Sequence, residues 1–269
     1  MAPAQLKNSF TGIGEVDAGI AASSLVLKLT VNQHALRYFV LSETHQQVIF
    51  FGDYTLHHIN NATELAERIE KIVEKDEVLQ LSFRKIIIGL DEKYSLVPEP
   101  FSFMINRSNH LTQKCGDTEI VFESPEQLTI VLEKKFPAAE LIHLNSAYFH
   151  TLSHYLTDAT EKLFVNVSAA HLDIVRFGTD KNLQLMNRYQ YRAASDFIYF
   201  VLLACEELKI DREKTELVLL GEVDIQSKIY DLCYRYFRQI NFVQKPEALN
   251  FSKAFDMFPK HLHFNLYNL

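Results

Sequence analysis

The order of secondary-structure patterns occurs twice along the chain, and this repeat constrains the fold more than any single motif. A β-β-β-α-β-α-β-α order extends from Ser24 to about Asp158, and most of it returns from Glu161 to Val243. A repeat of this kind is considered before motifs because it determines the architecture. The alternative interpretation is a single α/β domain that contains two unrelated meanders.

Each repeat begins with three strands joined by short turns. Leu25, Leu27, Leu29 and Val31 alternate with smaller or polar residues, as in a half-buried strand. The first repeat is further predicted to contain strands at Leu36–Leu41, Val48–Tyr54, Lys85–Leu90 and Leu141–Leu144, with helices that end near Lys75, begin at Ser124 and pass through Tyr155. The second repeat is predicted to contain strands at Leu163–Val167, Leu172–Phe177, Leu183–Tyr191, Leu217–Leu220 and Ile240–Val243, with helices at Ala193–Leu208 and Asp224–Phe237.

These patterns divide the chain into four parts: a loosely ordered N-terminal arm at 1–23, a first subdomain at 24–158, a second subdomain at 159–245 and a C-terminal tail at 246–269. Within the first subdomain, Pro98 and Pro100 interrupt regular structure. The segment 91–124 is therefore predicted to be an irregular insertion with one short strand at Glu119–Phe122. A chain of 269 residues is long enough to bury a sizeable core in this arrangement.

Composition and charge exclude several function classes. The chain has eight glycines in 269 residues, less than half the usual share of about 7%, and phosphate-binding loops depend on glycine. The formal charge of −7 disfavours general nucleic-acid binding, which requires a basic surface. Three widely spaced cysteines and the absence of a secretory leader predict a reducing cytoplasm. No apolar run approaches the roughly 20 residues of a membrane span.

The duplicated order resembles the actin-like ATPase fold, a ribonuclease H-like α/β architecture in which two subdomains flank a cleft. Lys85–Phe101 is similar to the strand and extended Val-Pro stretch of the pilus-assembly and cell-division branch. Leu163–Asn187 resembles the second meander of that branch, and Val218–Gly221 resembles its adenosine-motif strand. The chain looks most like an uncharacterised bacterial domain family that carries this fold without its nucleotide motifs.

The resemblance also implies which residues a working nucleotide site would require. Active members place a D-x-G turn between the first two strands of each half, and their adenosine motif has two adjacent glycines. Here the second-half turn is Asn166-Val167-Ser168, the first-half turn at Lys28–Gln33 contains neither Asp nor Gly, and Gly221 is followed by Glu222. All three glycine-dependent elements are degraded together, so we predict that ATP is not hydrolysed. Asn166, Ser168, Gly221 and Glu222 become vestigial cleft positions, and no catalytic residue, cofactor or metal site is predicted.

Other chemistry-bearing residues have structural explanations. His150 and His154 lie four apart on a predicted helix, a spacing that suits one metal ion, with His143 as a third ligand. Solvated or core-edge histidines are the alternative. The adjacent carboxylates Asp91 and Glu92 do not suggest a general acid and base, because neighbouring side chains point apart, and they are interpreted as part of a solvated face. A nucleic-acid adaptor would need a basic patch formed by Arg188, Arg192, Arg235 and Arg238.

One segment is a candidate surface for a protein partner. Pro98, Pro100, Phe101 and Phe103 lie in a proline-constrained, extended stretch, and such a stretch loses little conformational entropy on docking. In the alternative, both phenylalanines cover the protein's own core.

From these patterns we expect a cytoplasmic, non-catalytic protein of the actin-like fold that acts through a protein partner or by self-association. A function of another class is an enzyme or sensor that uses the cleft for a different small ligand. Asn166, Ser168 and Glu222 would then be its polar anchors.

Overall fold

Two mixed β-sheets form the frame of the computed structural model, which describes residues 9–16, 22–108, 110–156, 160–178, 180–244, 249–255, 259 and 261–269. In chain order the strands are β1 (Ser9–Gly14), β2 (Leu25–Val31), β3 (Ala35–Ser42), β4 (Gln47–Thr55), β5 (Lys85–Leu90), β6 (Tyr94–Pro98), β7 (Leu111–Cys115), β8 (Thr118–Phe122), β9 (Glu140–His143), β10 (Lys162–Val167), β11 (His171–Phe177), β12 (Leu183–Gln190), β13 (Glu216–Gly221), β14 (Gln239–Phe242) and β15 (Asn250–Phe251). The α-helices are α1 (Ala62–Lys75), α2 (Glu126–Lys135), α3 (Leu144–His154), α4 (Ala194–Glu207), α5 (Lys228–Tyr236) and α6 (Phe264–Tyr267).

The two large sheets have the same topology. The first has the order β1-β4-β3-β2-β5-β9, with β15 beside β4, and the second has the order β12-β11-β10-β13-β14. In both, an antiparallel meander continues into parallel strands, because β2 pairs with β5 as β10 pairs with β13. The predicted duplication is therefore confirmed. We refer to 22–156 as the first half and 160–244 as the second half.

Helices cover both faces of the sheets, as expected for central strands that are apolar on both sides. Helix α1 begins at Asn61, whose side chain accepts the Glu64 N–H, and it buries Leu65, Ile69 and Val73. Helix α3 lies where the halves meet, and its Phe149 ring is 5.3 Å from the Phe177 ring of the second half. The first-half core and one face of the second sheet consequently form one continuous cluster.

The insertion is more regular than its sequence predicts. Strands β6, β8 and β7 form a separate three-stranded sheet, in which only the strand near Glu119–Phe122 was expected. Ile120 and Phe122 of β8 are buried in the first-half core. The two flanking strands are less buried and pair with β8 on either side.

Both ends of the chain contribute to the first sheet. Ser9–Gly14 pairs antiparallel with β4, so part of the predicted loosely ordered arm is an edge strand, whereas 1–8 and 17–21 lie outside the described residues. The tail packs on the outer sheet face through Phe255, Leu266, Tyr267 and Leu269. The sequence Gly178-Thr179-Asp180 predicts a hairpin turn between β11 and β12, and Thr179 also lies outside the described residues.

Candidate functional site

A cleft of about 790 Å³ opens between the halves at the carboxyl ends of their central strands. Asn32 follows β2, Asp91 follows β5, Ser168 follows β10 and Glu222 follows β13, and all four line the cleft. Ligands of α/β sheets bind at such strand ends, where connections diverge. The geometry therefore makes this cleft the candidate functional site.

The floor of the cleft is a buried cluster of charges that we call the Arg188 triad, consisting of Asp91, Asp173 and Arg188. Arg188 Nε and Nη2 donate to the two carboxylate oxygens of Asp173 at 2.9 and 3.0 Å. Nη2 also donates to Asp91 Oδ1 of the first half at 2.7 Å. The side chains of Arg188, Asp91 and Asp173 are only 13%, 4% and 0% exposed. This ion cluster joins the two halves.

The Arg188 guanidinium has further acceptors from the first half. Nη1 donates to the carbonyl oxygens of Glu92 at 3.0 Å and Asp91 at 3.4 Å. The guanidinium also lies over the Tyr94 ring, 5.4 Å from its centroid, and the Tyr94 hydroxyl donates to Asp173. All three guanidinium nitrogens are therefore engaged, as burial of a charge requires.

The cluster perturbs the ionisation of its members. Burial alone would raise the pKa of Asp91, but the Arg188 guanidinium and His171 hold it well below its usual range. Burial, followed by the neighbouring Asp91 charge, raises the pKa of Glu92. His143 packs beneath, where burial lowers its pKa to about 4. Asp91 thus stays ionised, whereas the neighbouring Glu92 has a raised pKa and holds its proton more tightly than an exposed glutamate does.

A second cluster, the Arg37 triad, consists of Arg37, Asp53 and Glu222, and it adjoins the cleft through Glu222. Arg37 Nε donates to Asp53 Oδ2 at 3.1 Å, and Nη1 donates to Glu222 Oε1 of the second half at 2.5 Å. The side chains of Arg37, Asp53 and Glu222 are 20%, 23% and 30% exposed. They border a second cavity of about 420 Å³, which also touches the tail at His261 and His263.

The four predicted cleft positions separate into two groups. Ser168 and Glu222 line the cleft, whereas Asn166 is buried beneath it and accepts a hydrogen bond from Asn265 of the tail. Gly221 has a φ of +83°, and an added Cβ would lie 2.3 Å from the Val167 carbonyl oxygen. Gly221 is therefore required by the backbone itself, since this conformation disfavours other residues.

The candidate partner segment lies on the surface. Pro98 ends β6, and Pro100, Phe101 and Phe103 belong to a 3-10 helix at Glu99–Met104. The side chains of Phe101, Phe103 and Met104 are 53%, 81% and 70% exposed. The alternative, in which both phenylalanines cover the core, is wrong. We call Pro98–Met104 the apolar projection.

Other sequence interpretations change with the structure. His143 accepts the Asn145 N–H at Nδ1 and contacts the Glu92 carbonyl through Nε2, so it is not a third ligand beside His150 and His154. Within the described ranges no group of three or more His, Cys, Asp or Glu side chains is arranged to hold a metal ion. Arg188 is buried and Arg238 pairs with Glu213, which removes two members of the predicted basic patch.

Of the triad residues, the sequence interpretation placed only Glu222 in the cleft, gave Asp91 and Arg188 other roles, and missed Arg37, Asp53 and Asp173. Asp91 was assigned to a solvated face, yet its side chain is almost fully buried. A signal was present at Asp173, which interrupts the apolar strand run Leu172–Val175. A carboxylate at such a position requires a cationic partner, and Arg188 lies directly opposite it on the neighbouring strand.

A solved structure shows the same fold. A Bacteroides thetaiotaomicron protein with an actin-like ATPase fold and unknown function matches with a TM-score of 0.73 at 14% identity, covering 85% of this chain and 94% of that one. The ethanolamine utilization protein EutJ from Carboxydothermus hydrogenoformans matches with a TM-score of 0.48 at 7% identity, over 91% and 89% of the two chains. The AlfA filament structure from a B. subtilis plasmid matches with a TM-score of 0.45 at 7% identity, over 90% and 96%. The first match establishes the actin-like ATPase fold for this chain.

Sequence comparison identifies one family. Its profile, described as "Protein of unknown function (DUF3822)", matches residues 20–240. No curated protein matches the sequence significantly. In the part of the chain that the structure describes, the helices are too short or too polar to cross a membrane.

Proposed function

Since the chain belongs to the DUF3822 family of unknown function and has the actin-like ATPase fold, we propose that it is a non-catalytic member of this fold that binds a protein partner. One observation carries the proposal: the cleft floor, at the strand ends, is occupied by the Arg188 triad. The guanidinium of Arg188 lies between the carboxylate of Asp91 from the first half and that of Asp173 from the second half.

The triad opposes a bound phosphate. The Arg188 nitrogens already donate to Asp91, Asp173 and two carbonyl oxygens, so a phosphate would have to displace buried carboxylates. The cleft also contains Glu92 and Glu222, whose negative charge repels an anion. The backbone N–H of Gly221, at the strand end that resembles the adenosine motif, donates to the His261 carbonyl of the tail at 3.0 Å. These contacts together favour a cleft without nucleotide.

The apolar projection is the surface that we assign to the partner. Three neighbouring side chains, Phe101, Phe103 and Met104, are more than half exposed. Exposed apolar groups of this size on one segment are typical of interaction sites. Pro98 and Pro100 restrict the backbone of the free protein, so docking orders few additional residues.

The three cysteines are free and buried, and we assign the protein to the reducing cytoplasm.

Calorimetric titration with ATP and Mg²⁺ tests the non-catalytic half of the proposal. We expect no binding heat at micromolar protein and no released phosphate. Micromolar affinity accompanied by turnover would overturn it.

Photo-crosslinking from position 103 tests the partner half. A photoreactive amino acid at Phe103 is compared with one at Ile130, which is also exposed at 57% but lies on α2. We expect a discrete adduct, with a second copy or another protein, from position 103 alone. Equal adducts from both positions, or none from position 103, would contradict the assignment.

A second candidate function is binding of a small polar ligand in the open part of the cleft. The observation that favours it is the volume of about 790 Å³ that remains above the triad, lined by Glu92, Ser168 and Gln190. A thermal shift with one metabolite class, abolished by Ser168→Val, would support this function. An unchanged melting temperature across a broad metabolite set would count against it.

A further inference from the structure

The two triads occupy equivalent positions in the duplicated fold. In the first half, Arg37 on β3 lies directly opposite Asp53 on β4, and in the second half Asp173 on β11 lies directly opposite Arg188 on β12. Arg37 is also opposite Thr30, the next-to-last residue of β2, and Asp173 is opposite Asn166, the next-to-last residue of β10. The same two positions therefore carry an Arg–Asp pair in each half, with the arginine on the middle strand of the meander in the first half and on its outer strand in the second half.

The third member of each triad comes from the other half. Asp91 immediately follows β5 of the first half and binds Arg188 of the second half. Glu222 immediately follows β13, the equivalent strand of the second half, and binds Arg37 of the first half. Each half thus gives one carboxylate to the other half and receives one in return.

We propose that the two crossed triads form a charge latch that holds the halves at their observed separation without a bound ligand. Opening the cleft would separate Asp91 from Arg188 and Glu222 from Arg37 at the same time, because these contacts span the cleft at two places. Two separate points of attachment prevent both hinge opening and twisting, whereas a single one would leave a pivot. The latch does not depend on the role of the apolar projection.

The distance between the cleft walls tests the latch directly. Glu126 and Gln190 line opposite walls and are exposed, so spin labels on E126C and Q190C report the separation, while the native cysteines are buried. The full chain is compared with R188Q, R37Q and R238Q by double electron–electron resonance. Arg238 pairs with Glu213 within the second half and both are exposed, which makes R238Q the matched control.

We expect a narrow distance distribution for the unsubstituted chain and for R238Q, and a broader one shifted to longer distances for R188Q and R37Q. Where R188Q does not fold, the triple variant D91N/D173N/R188L removes the charges together and leaves none unpaired. R37Q or this triple variant retaining the distribution of the unsubstituted chain would overturn the latch. An equal broadening in R238Q would overturn it as well, because the effect would then be unspecific.

Discussion

The Arg188 triad and the Arg37 triad have equivalent positions and opposite polarity, yet they differ in burial. The side chains of the first are at most 13% exposed, and those of the second are 20% to 30% exposed. The Tyr94 ring contributes to the difference, because the Arg188 guanidinium lies against it. It belongs to β6 of the insertion, and the described residues of the second half, 160–178 and 180–244, form no corresponding sheet. A peripheral insertion therefore converts one of two similar ion clusters into a buried one.

Burial should make the two clusters unequal in energy. Charges that are removed from water depend entirely on their partners, so the loss of one partner is costly. Charges that keep contact with water are partly compensated by it. The following substitutions measure this inequality, beginning with the largest expected effect.

Arg188→Gln is expected to reduce the free energy of unfolding by about 3–5 kcal/mol, since it leaves Asp91 and Asp173 buried without the guanidinium that both contact. Urea denaturation at pH 7 measures this loss. R238Q, which removes an exposed pair, should leave the midpoint unchanged. A midpoint for R188Q that coincides with that of the control would show that the triad contributes little.

The fold that carries the triads was largely predictable from the sequence. Strand Lys85–Leu90 was predicted with its observed ends, because a continuous apolar run has few other solutions in an α/β protein. The three-stranded insertion was not, because β6 is short and ends in a proline, β7 is mostly polar, and both pair with β8. The local sequence pattern therefore predicts strands whose own residues are apolar enough to be buried, and it does not predict strands that depend on a neighbouring strand.

The triads themselves depend on information that periodicity does not contain. Arg188 and Asp91 are 97 positions apart, and their meeting follows only from the relative placement of the two halves. Gly221 is the opposite case, because the sequence draws attention to it but does not give the structural reason for it. It was interpreted as a nucleotide-fold remnant, and its positive φ now gives it a backbone reason to be glycine. Residue type alone does not distinguish these two explanations.

Asp91→Asn separates the charge of the buried triad from its shape. Because the pKa of Asp91 is held below its usual value of 3.8 in the folded chain, its ionised form stabilises the fold at every pH above that value. We expect a loss of about 3 kcal/mol at pH 7. The loss should be constant down to about pH 5 and shrink as the pH falls further toward the depressed pKa. A difference between the two proteins that grows on acidification would contradict the assigned direction.

Gly221→Ala tests whether the positive φ before Glu222 is needed, since the equivalent acid of the other triad, Asp91, has no such residue before it. Glu222 follows a glycine with a φ of +83°, whereas Asp91 follows Leu90, which is not among the residues with positive φ. An added Cβ would meet the Val167 carbonyl oxygen at 2.3 Å, so the strand end must move. We expect a loss of about 2 kcal/mol in unfolding free energy. Gly116→Ala is the control, because its φ is also positive but its added Cβ meets only ordinary contacts.

Arg37→Gln should have the smallest effect, about 1 kcal/mol, because Asp53 and Glu222 regain water when the guanidinium is lost. The cost should also depend on salt. At 1 M NaCl the screening length falls to about 3 Å, which weakens exposed ion pairs far more than buried ones. Paired urea denaturations in 0.05 and 1 M NaCl therefore compare the triads directly. The cost of R37Q should nearly vanish at high salt while that of R188Q persists, since the Arg188 guanidinium and its two carboxylates are largely removed from water. Equal salt dependence in the two variants would mean that the insertion does not shield the Arg188 triad, and the burial difference would then have no energetic consequence.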